Sequence, residues 1–364
     1  MKTSVIIVSY NRPDSCRRTV EAVVNQSRKA DEIIVIDNGS DRDYAKGLAP
    51  FFRMAAVVYK RIEKSSIPAG RNSGVVAAQG DIVIFIDDDC IPHEAWLENL
   101  VKPFERDEEI VVVGGRMASY RRGSFIDEFC EEEFRLYGER LKNPSHSQNL
   151  FNAFLPYFIT ANSAFRKKTL QEIGLFDESF GGSEDVDISF RMRQRGCKVA
   201  YEETALVFHD NRPTIGTFLK QYFYYGYYDV ALYLKHCEIK RKLRIEFATM
   251  DLEGNFSLIK KIFVLEFPFF FPCYIKTINI CLRILILWAA FFCLLLQRDA
   301  LWWFASLFAL YLAMYIYFLK SSFKKGQVTQ GYKSFVMRAL ANKAALLGQI
   351  YNSIKKRVII LVLY

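Results

Sequence analysis

Short, continuous apolar runs recur through the first part of the chain: Val5–Val8, Ile33–Ile36, Ala56–Tyr59, Ile82–Ile86 and Ile110–Val113. Runs of this length fit strands buried on both faces of a parallel sheet. Between them, 14–25, 70–78 and 93–104 carry helical patterns. Such alternation predicts a doubly wound, mostly parallel α/β sheet that binds its ligand at the carboxyl ends of the strands. Three of those ends are polar: Ser9-Tyr10-Asn11, Asp37-Asn38-Gly39-Ser40 and Asp87-Asp88-Asp89.

The pattern lapses from Arg116 to about Pro156, which reads as polar and irregular. A second ordered block follows, with a strand at Phe158–Asn162, a helix at Lys167–Ile173 and a helix at Val186–Arg195 opened by Gly181-Gly182-Ser183-Glu184-Asp185. Ala205–His209 reads as a further strand and Pro213–His236 as a long aromatic helix.

Beyond it the hydropathy rises. Thr277–Leu296 and Ala300–Leu319 are each about as long as the ~20 residues a bilayer crossing takes and are joined by Gln297-Arg298-Asp299. Arg283 is the one charge inside the spans and lies near an end, where it can snorkel to the interface. A transmembrane helical hairpin is expected, with Lys276 on one side and Lys320, Lys324 and Lys325 on the other holding both ends in the cytosol. Ile262–Phe271, with Glu266 and Pro268, suits a segment lying at the interface, and 332–363 an amphipathic surface helix.

Charge sharpens this picture. The net charge is +9 over 364 residues, and no Asp or Glu follows Asp299. The nine basic residues beyond that point equal the whole excess. A basic tail beside apolar spans suits an anionic membrane surface better than nucleic acid. The eight cysteines form no CxxC pair, which argues against a disulfide framework or a structural zinc site. No signal-peptide pattern opens the chain, so the N-terminal domain is expected in the cytoplasm.

The turn after the first strand lacks a glycine fingerprint, and no Walker-type loop is present, so dinucleotide and P-loop chemistry are disfavoured. Phosphates bound here need another source of positive charge. Three adjacent carboxylates at a strand end are costly unless they meet cations, and oxygen ligands of this kind suit Mg²⁺ or Mn²⁺. Strand alternation puts Asp87 and Asp89 on one face and Asp88 on the other. A solvated turn leading into a helix cap explains the triplet equally well when it is taken alone. Ser183-Glu184-Asp185 reads either as a capping arrangement or as the source of a general base. His209 is a third candidate, at a strand end before Asp210-Asn211-Arg212-Pro213.

Taken in order, these segments resemble family 2 glycosyltransferases of the GT-A fold, a Rossmann-like architecture, over about Ser4 to Tyr228. Residues 4–13 look like the family's opening strand, 34–41 like its nucleoside-binding strand, Asp87-Asp88-Asp89 like the DxD metal motif, and Ser183-Glu184-Asp185 like its acceptor-side motif. The resemblance implies that Ser9, Tyr10, Asp37, Arg71, Asp87 and Asp89 contact a nucleotide-sugar donor. It places Asp87, Asp89 and His209 on a divalent metal, Asp185 as the catalytic base and Glu184 on the acceptor side. It implies inverting transfer of one sugar to a lipid-linked or membrane-proximal glycan. The processive members' QxxRW motif keeps only Gln221 here, with Tyr224 and Tyr225 in place of Arg and Trp. Direct transfer to a polyprenyl phosphate stays open. A GT-A-like nucleotidyltransferase shares the metal logic but leaves residues 183–185 without a role. The expected layout is a catalytic domain over 1–237 (donor half 1–115, acceptor half 116–237), a linker and interfacial segment over 238–276, two spans within 277–319 and a basic cytosolic tail over 320–364. This would be a multi-pass membrane protein with a cytoplasmic catalytic domain.

Overall fold

The computed structural model describes residues 1–53, 56–142, 157–236, 242–249, 261–268, 273–278, 330–356 and 358–363. The chain divides into two compact units, one of Met1–Gln148 with Asn152–Thr217, the other of Asn149–Phe151 with Phe218–Tyr364.

The first unit is built on β1 (Thr3–Ser9), α1 (Pro13–Val24), β2 (Glu32–Asn38), α2 (Ala45–Leu48), β3 (Val57–Ile62), α3 (Ile67–Ala77), β4 (Ile82–Ile86), β5 (Cys90–Pro92), α4 (Trp96–Arg106), β6 (Ile110–Ser119), α5 (Phe125–Lys142), β7 (Asn162–Arg166), α6 (Lys167–Glu172), α7 (Glu184–Gln194) and β8 (Lys198–His209). Its eight strands run in the order β3-β2-β1-β4-β7-β6-β8-β5. The half β3-β2-β1-β4 is parallel, as expected. The other half is not: β7 is antiparallel to both β4 and β6, and β5 to β8. The sheet is therefore a mixed GT-A-like α/β sheet rather than a mostly parallel one, because β7 enters between two parallel blocks from the opposite end.

Strand alternation distributes the core between the two faces. Val5, Ile7, Val35, Ile82 and Ile84 pack with Cys16, Val20 and Val23 of α1 and with Trp96, Leu100 and Phe104 of α4. Ile6, Ile34, Ile36, Val83 and Phe85 pack with Val75 of α3, Leu170 of α6 and Ile188 of α7. Full burial of each such side chain contributes ~1.5–3 kcal/mol, which explains why the edges of the apolar runs are readable. Gly74 lets α3 lie close on β1, since a Cβ there would collide with Ile6 Cγ2.

Two expectations are corrected within this unit. As far as Lys142 the segment after Arg116 is regular: β6 continues to Ser119, and α5 buries Ile126, Phe129, Tyr137 and Leu141, while 143–156 lie outside the described residues. The acidic run Glu131-Glu132-Glu133 masks that stripe in the sequence. The strand expected at Phe158–Asn162 begins only at Asn162, because a turn closes from Asn162 N–H to the Ile159 carbonyl at 3.1 Å.

The second unit contains α8 (Ile215–His236) from Phe218 onward, β9 (Lys242–Thr249), β10 (Lys261–Pro268), β11 (Cys273–Ile278), α9 (Gln330–Lys356) and β12 (Ile359–Leu363). Its strands form a sheet in the order β10-β9-β11-β12. Ile262–Phe271 is thus not a lone interfacial segment: 261–268 pairs antiparallel with β9, its backbone groups satisfied by the ladder. Residues 277 and 278 end β11, and the remainder of the expected hairpin lies outside the described residues. Among the described residues, no helix is long and apolar enough to cross a membrane. The expected tail helix is α9, which ends at Lys356 where the β-branched run Ile359, Ile360 and Val362 takes up strand geometry.

Candidate active site

The ends of β1, β2 and β4 meet at the Asp87-Asp88-Asp89 turn. β4 stops at Ile86, and a bond from Cys90 N–H to the Asp87 carbonyl at 3.1 Å closes a turn across the triplet. Strand alternation therefore does not carry through it, and the three carboxylates part company. Asp88 points into the protein, fully buried, where it accepts from Ser9 Oγ and pairs with Arg12 at 2.6 Å. Burial pushes its carboxyl up, against the pull of Arg12.

Asp89 turns the other way. Its Oδ2 meets Arg12 at 2.6 Å and Arg212 at 3.5 Å, and its Oδ1 faces His209 Nε2 at 3.5 Å. Burial alone would raise this carboxyl, but His209, Arg12 and Arg212 together hold it below its ordinary value. Asp87, on the partly exposed side, bonds to Arg71 at 3.1 Å, and Arg71 continues to Glu184 in a buried ion pair. Asp87 is thus separated from Asp89 and tied to the second acidic group. The expectation that both share one face is corrected, the reason being the turn.

His209 is oriented by Asn211. The Asn211 amide donates to Ser119 Oγ at 2.9 Å and to Asp127 Oδ1 at 3.1 Å, which leaves its Oδ1 towards His209 Nδ1 at 3.1 Å. This network makes Nδ1 the donor to Asn211 and leaves Nε2 as the ring nitrogen that faces Asp89. Asp89, Cys90 and His209 offer ligand atoms within 4.8 Å of one another. Burial raises the Cys90 thiol far above its usual value, so it stays protonated. The donor set that fits a hard divalent cation is then Asp89 with His209. Asp87, also expected on the metal, lies outside that group among the described residues.

The expected nucleoside end differs in part from expectation. Tyr10 is exposed and bonded to Lys64 Nζ at 2.8 Å. Ser9 and Asp37 are buried. Ser9 Oγ is shared between Asp88 and Tyr44 Oη, the latter at 2.7 Å. Asp37 accepts from Ser40 N–H at 2.9 Å and Tyr59 Oη at 2.7 Å. Both hold their turns in shape, because a buried hydroxyl or carboxylate must find partners within the fold.

The second acidic group opens α7. Ser183 adopts a left-handed φ of 64° and offers no side-chain cap, while Asp185 Oδ1 accepts from Val186 N–H at 2.8 Å in the first turn, so the capping part falls to the acid and not to the serine. Glu184 is buried against Arg71, while Asp185 lies half-buried beside it. Burial, then the neighbouring Glu184, pushes the Asp185 carboxyl up to about 7.

Arg12, Arg212, Asn211 and Tyr44 escaped the sequence reading. A signal for three of them was present: Asn-Arg-Pro occurs at 11–13 and again at 211–213, after two strands of the same sheet, and both arginines reach Asp89.

The family model described as glycosyl transferase family 2 matches residues 4–174. The matched stretch, 171 of the 364 residues, is similar to that family. An uncharacterized glycosyltransferase of Bacillus subtilis is 28% identical over 258 residues, covering 59% of this chain and 66% of the relative. A pre-mycofactocin glycosyltransferase of Mycobacterium tuberculosis is 26% identical, covering 64% and 48%. A glucosyl-dolichyl phosphate glucuronosyltransferase of Haloferax volcanii is 26% identical, covering 57% and 69%. The chain thus spans about half to two thirds of the length of these relatives. In fold, the chain resembles a mannosyltransferase of Pyrobaculum calidifontis solved with GDP-Man and Mn²⁺, with a TM-score of 0.50 and 17% identity over 64% of this chain and 63% of that one. The matched residues therefore contain the β1, β2 and β4 ends and the acidic triplet, while Asp185 and His209 lie beyond them.

Proposed function

We propose that this chain is an inverting glycosyltransferase, which moves one sugar from a nucleotide-diphosphate sugar to a hydroxyl of a lipid-linked or membrane-proximal glycan. The observation that carries the reading is Asp185. Its raised carboxyl suits a general base near neutrality, and the bridge Glu184–Arg71–Asp87 ties its helix to the donor-side turn.

The Asp185 carboxylate accepts the proton of the acceptor hydroxyl as that oxygen attacks the anomeric carbon. The bond from that carbon to the diphosphate oxygen breaks on the opposite face, so one displacement inverts the centre. Arg12 and Arg212 supply the positive charge that the missing glycine loop would otherwise provide. Tyr10 borders the nucleoside, and Asp37 and Ser9 shape its pocket from behind. Mg²⁺ or Mn²⁺ held by Asp89 and His209 would offset charge on the departing nucleoside diphosphate. The Mn²⁺ of the Pyrobaculum mannosyltransferase complex is in keeping with this.

A lipid-linked acceptor is supported by the name of the Haloferax relative and by the acid-free basic C-terminal sequence. The proposed location is a membrane, with spans in 277–319 and the first unit on the cytoplasmic side. The test is incubation of the purified chain with a panel of nucleotide sugars, with and without Mn²⁺. Metal-dependent release of nucleoside diphosphate from one donor supports the reading. Absence of release across the panel, with lipid-linked glycans supplied, refutes it.

A further inference from the structure

From Leu347 on, helix α9 is built inside out. There the polar residues Gln349, Asn352 and Ser353 are buried, while Leu347, Ile350, Tyr351 and Ile354 are exposed at 60%, 38%, 58% and 73%; the earlier part of the helix buries Met337, Ala341 and Ala344 in the usual way. Two of them bond within the unit: the Asn352 amide donates to the Tyr227 carbonyl at 2.6 Å, and Ser353 Oγ accepts from Ile360 N–H at 3.1 Å. α9 crosses α8 at van der Waals limits, for a Cβ on Gly348 would collide with the Phe223 carbonyl oxygen. Polar groups inside, glycine at the crossing and large apolar groups outside is the reverse of the order that water selects, and it is the order found where the surroundings are lipid.

The exposed residues recur at i, i+3, i+4 and i+7 and so make one stripe along the helix. Single exposed apolar residues need no explanation, but a contiguous stripe marks an interaction surface. The exposed Lys343, Lys355 and Lys356 flank it, and no acid occurs anywhere from residue 300 onward. We infer that this stripe is a membrane-docking face, seated in the headgroup region of an anionic bilayer with its lysines on the lipid phosphates. A second copy of the helix would bring cation against cation with no acid to relieve it, whereas an anionic surface complements both the apolar and the charged residues. The five basic residues within α9, Lys333, Arg338, Lys343, Lys355 and Lys356, make it an interfacial helix rather than a span.

This deepens the membrane reading proposed above and is independent of the chemistry assigned to Asp89 and Asp185. The test is hydroxyl-radical footprinting of the full chain, alone and with vesicles of phosphatidylcholine or of phosphatidylcholine with phosphatidylglycerol, joined to flotation of the same samples. The expected result is flotation with the anionic vesicles and a several-fold fall in oxidation of Leu347, Ile350, Tyr351 and Ile354, while exposed Val58 and Val76 of the first unit keep theirs. A chain that floats with these four side chains still fully oxidised overturns the face and leaves the membrane reading standing. A chain that does not float overturns both. Protection that appears without lipid and grows with protein concentration assigns the stripe to a second copy and overturns the lipid assignment.

Discussion

The side-chain oxygen of Asn211 meets Nδ1 of His209 at 3.1 Å, and the amide nitrogen behind it is held by Ser119 and Asp127. The Asn cannot flip without losing two buried bonds, so the His ring is held in one orientation. Partners of this kind are worth ~10–100-fold in metal affinity. Asn211→Leu is expected to weaken Mn²⁺ binding by about that factor, measured by calorimetry on protein whose circular dichroism is unchanged. Equal affinity in the variant would remove His209 from the metal site.

Asp89→Ala deletes the carboxylate on which Arg12, Arg212 and His209 converge. Metal-dependent binding of a nucleoside diphosphate is expected to disappear. Metal-free binding should persist, since two guanidiniums lose an internal anion and become available to an external one. Retained metal dependence in a titration would place the cation elsewhere.

Asp185→Asn is expected to keep donor affinity and lose transfer by ~10²–10⁴-fold, the range for removal of a general base. The pH dependence has a definite sign. A carboxyl raised to about 7 stays protonated, and idle as a base, below that pH. The wild-type transfer rate should therefore climb about tenfold per pH unit towards pH 7 and then level off. A rate already flat between pH 5 and 8 would exclude Asp185 as the titrating base.

Asp229 on α8 lies beside Gln349, and the loss of solvation there pushes its carboxyl up to about 7. The folded state then holds a proton that the unfolded chain releases near its ordinary value of 3.8. Stability of the second unit is full below that value, falls between it and about 7, and stays reduced above. Each pKa unit corresponds to about 1.4 kcal/mol, so Asp229→Asn is expected to raise the unfolding midpoint at pH 8 and to have little effect at pH 4. A variant less stable than wild type at pH 8 would show that the ionised carboxyl is a favourable partner.

The parallel half of the sheet was legible because its strands are buried on both faces, which writes each one as an unbroken apolar run. α5 was not, since its core stripe is interleaved with glutamates. β9, β10 and β11 read as linker and interface because apolar strands and apolar interfacial segments share a composition and differ only in what lies beside them.

The sequence by itself determined which residues could carry charge chemistry, and in what order: an acidic triplet at a strand end, a second acidic group at a helix start, a histidine at another strand end. Their division of labour came from tertiary structure. The turn that begins at Asp87 sends Asp88 inward to Ser9 and Arg12, Asp89 to His209, and Asp87 to Arg71. A one-dimensional pattern records the spacing of carboxylates along a strand. It does not record where the strand ends, nor which distant arginine a buried carboxylate must find to offset its desolvation. For Asp89 those partners are Arg12 and Arg212, two hundred positions apart in the chain and both within reach of the same oxygen.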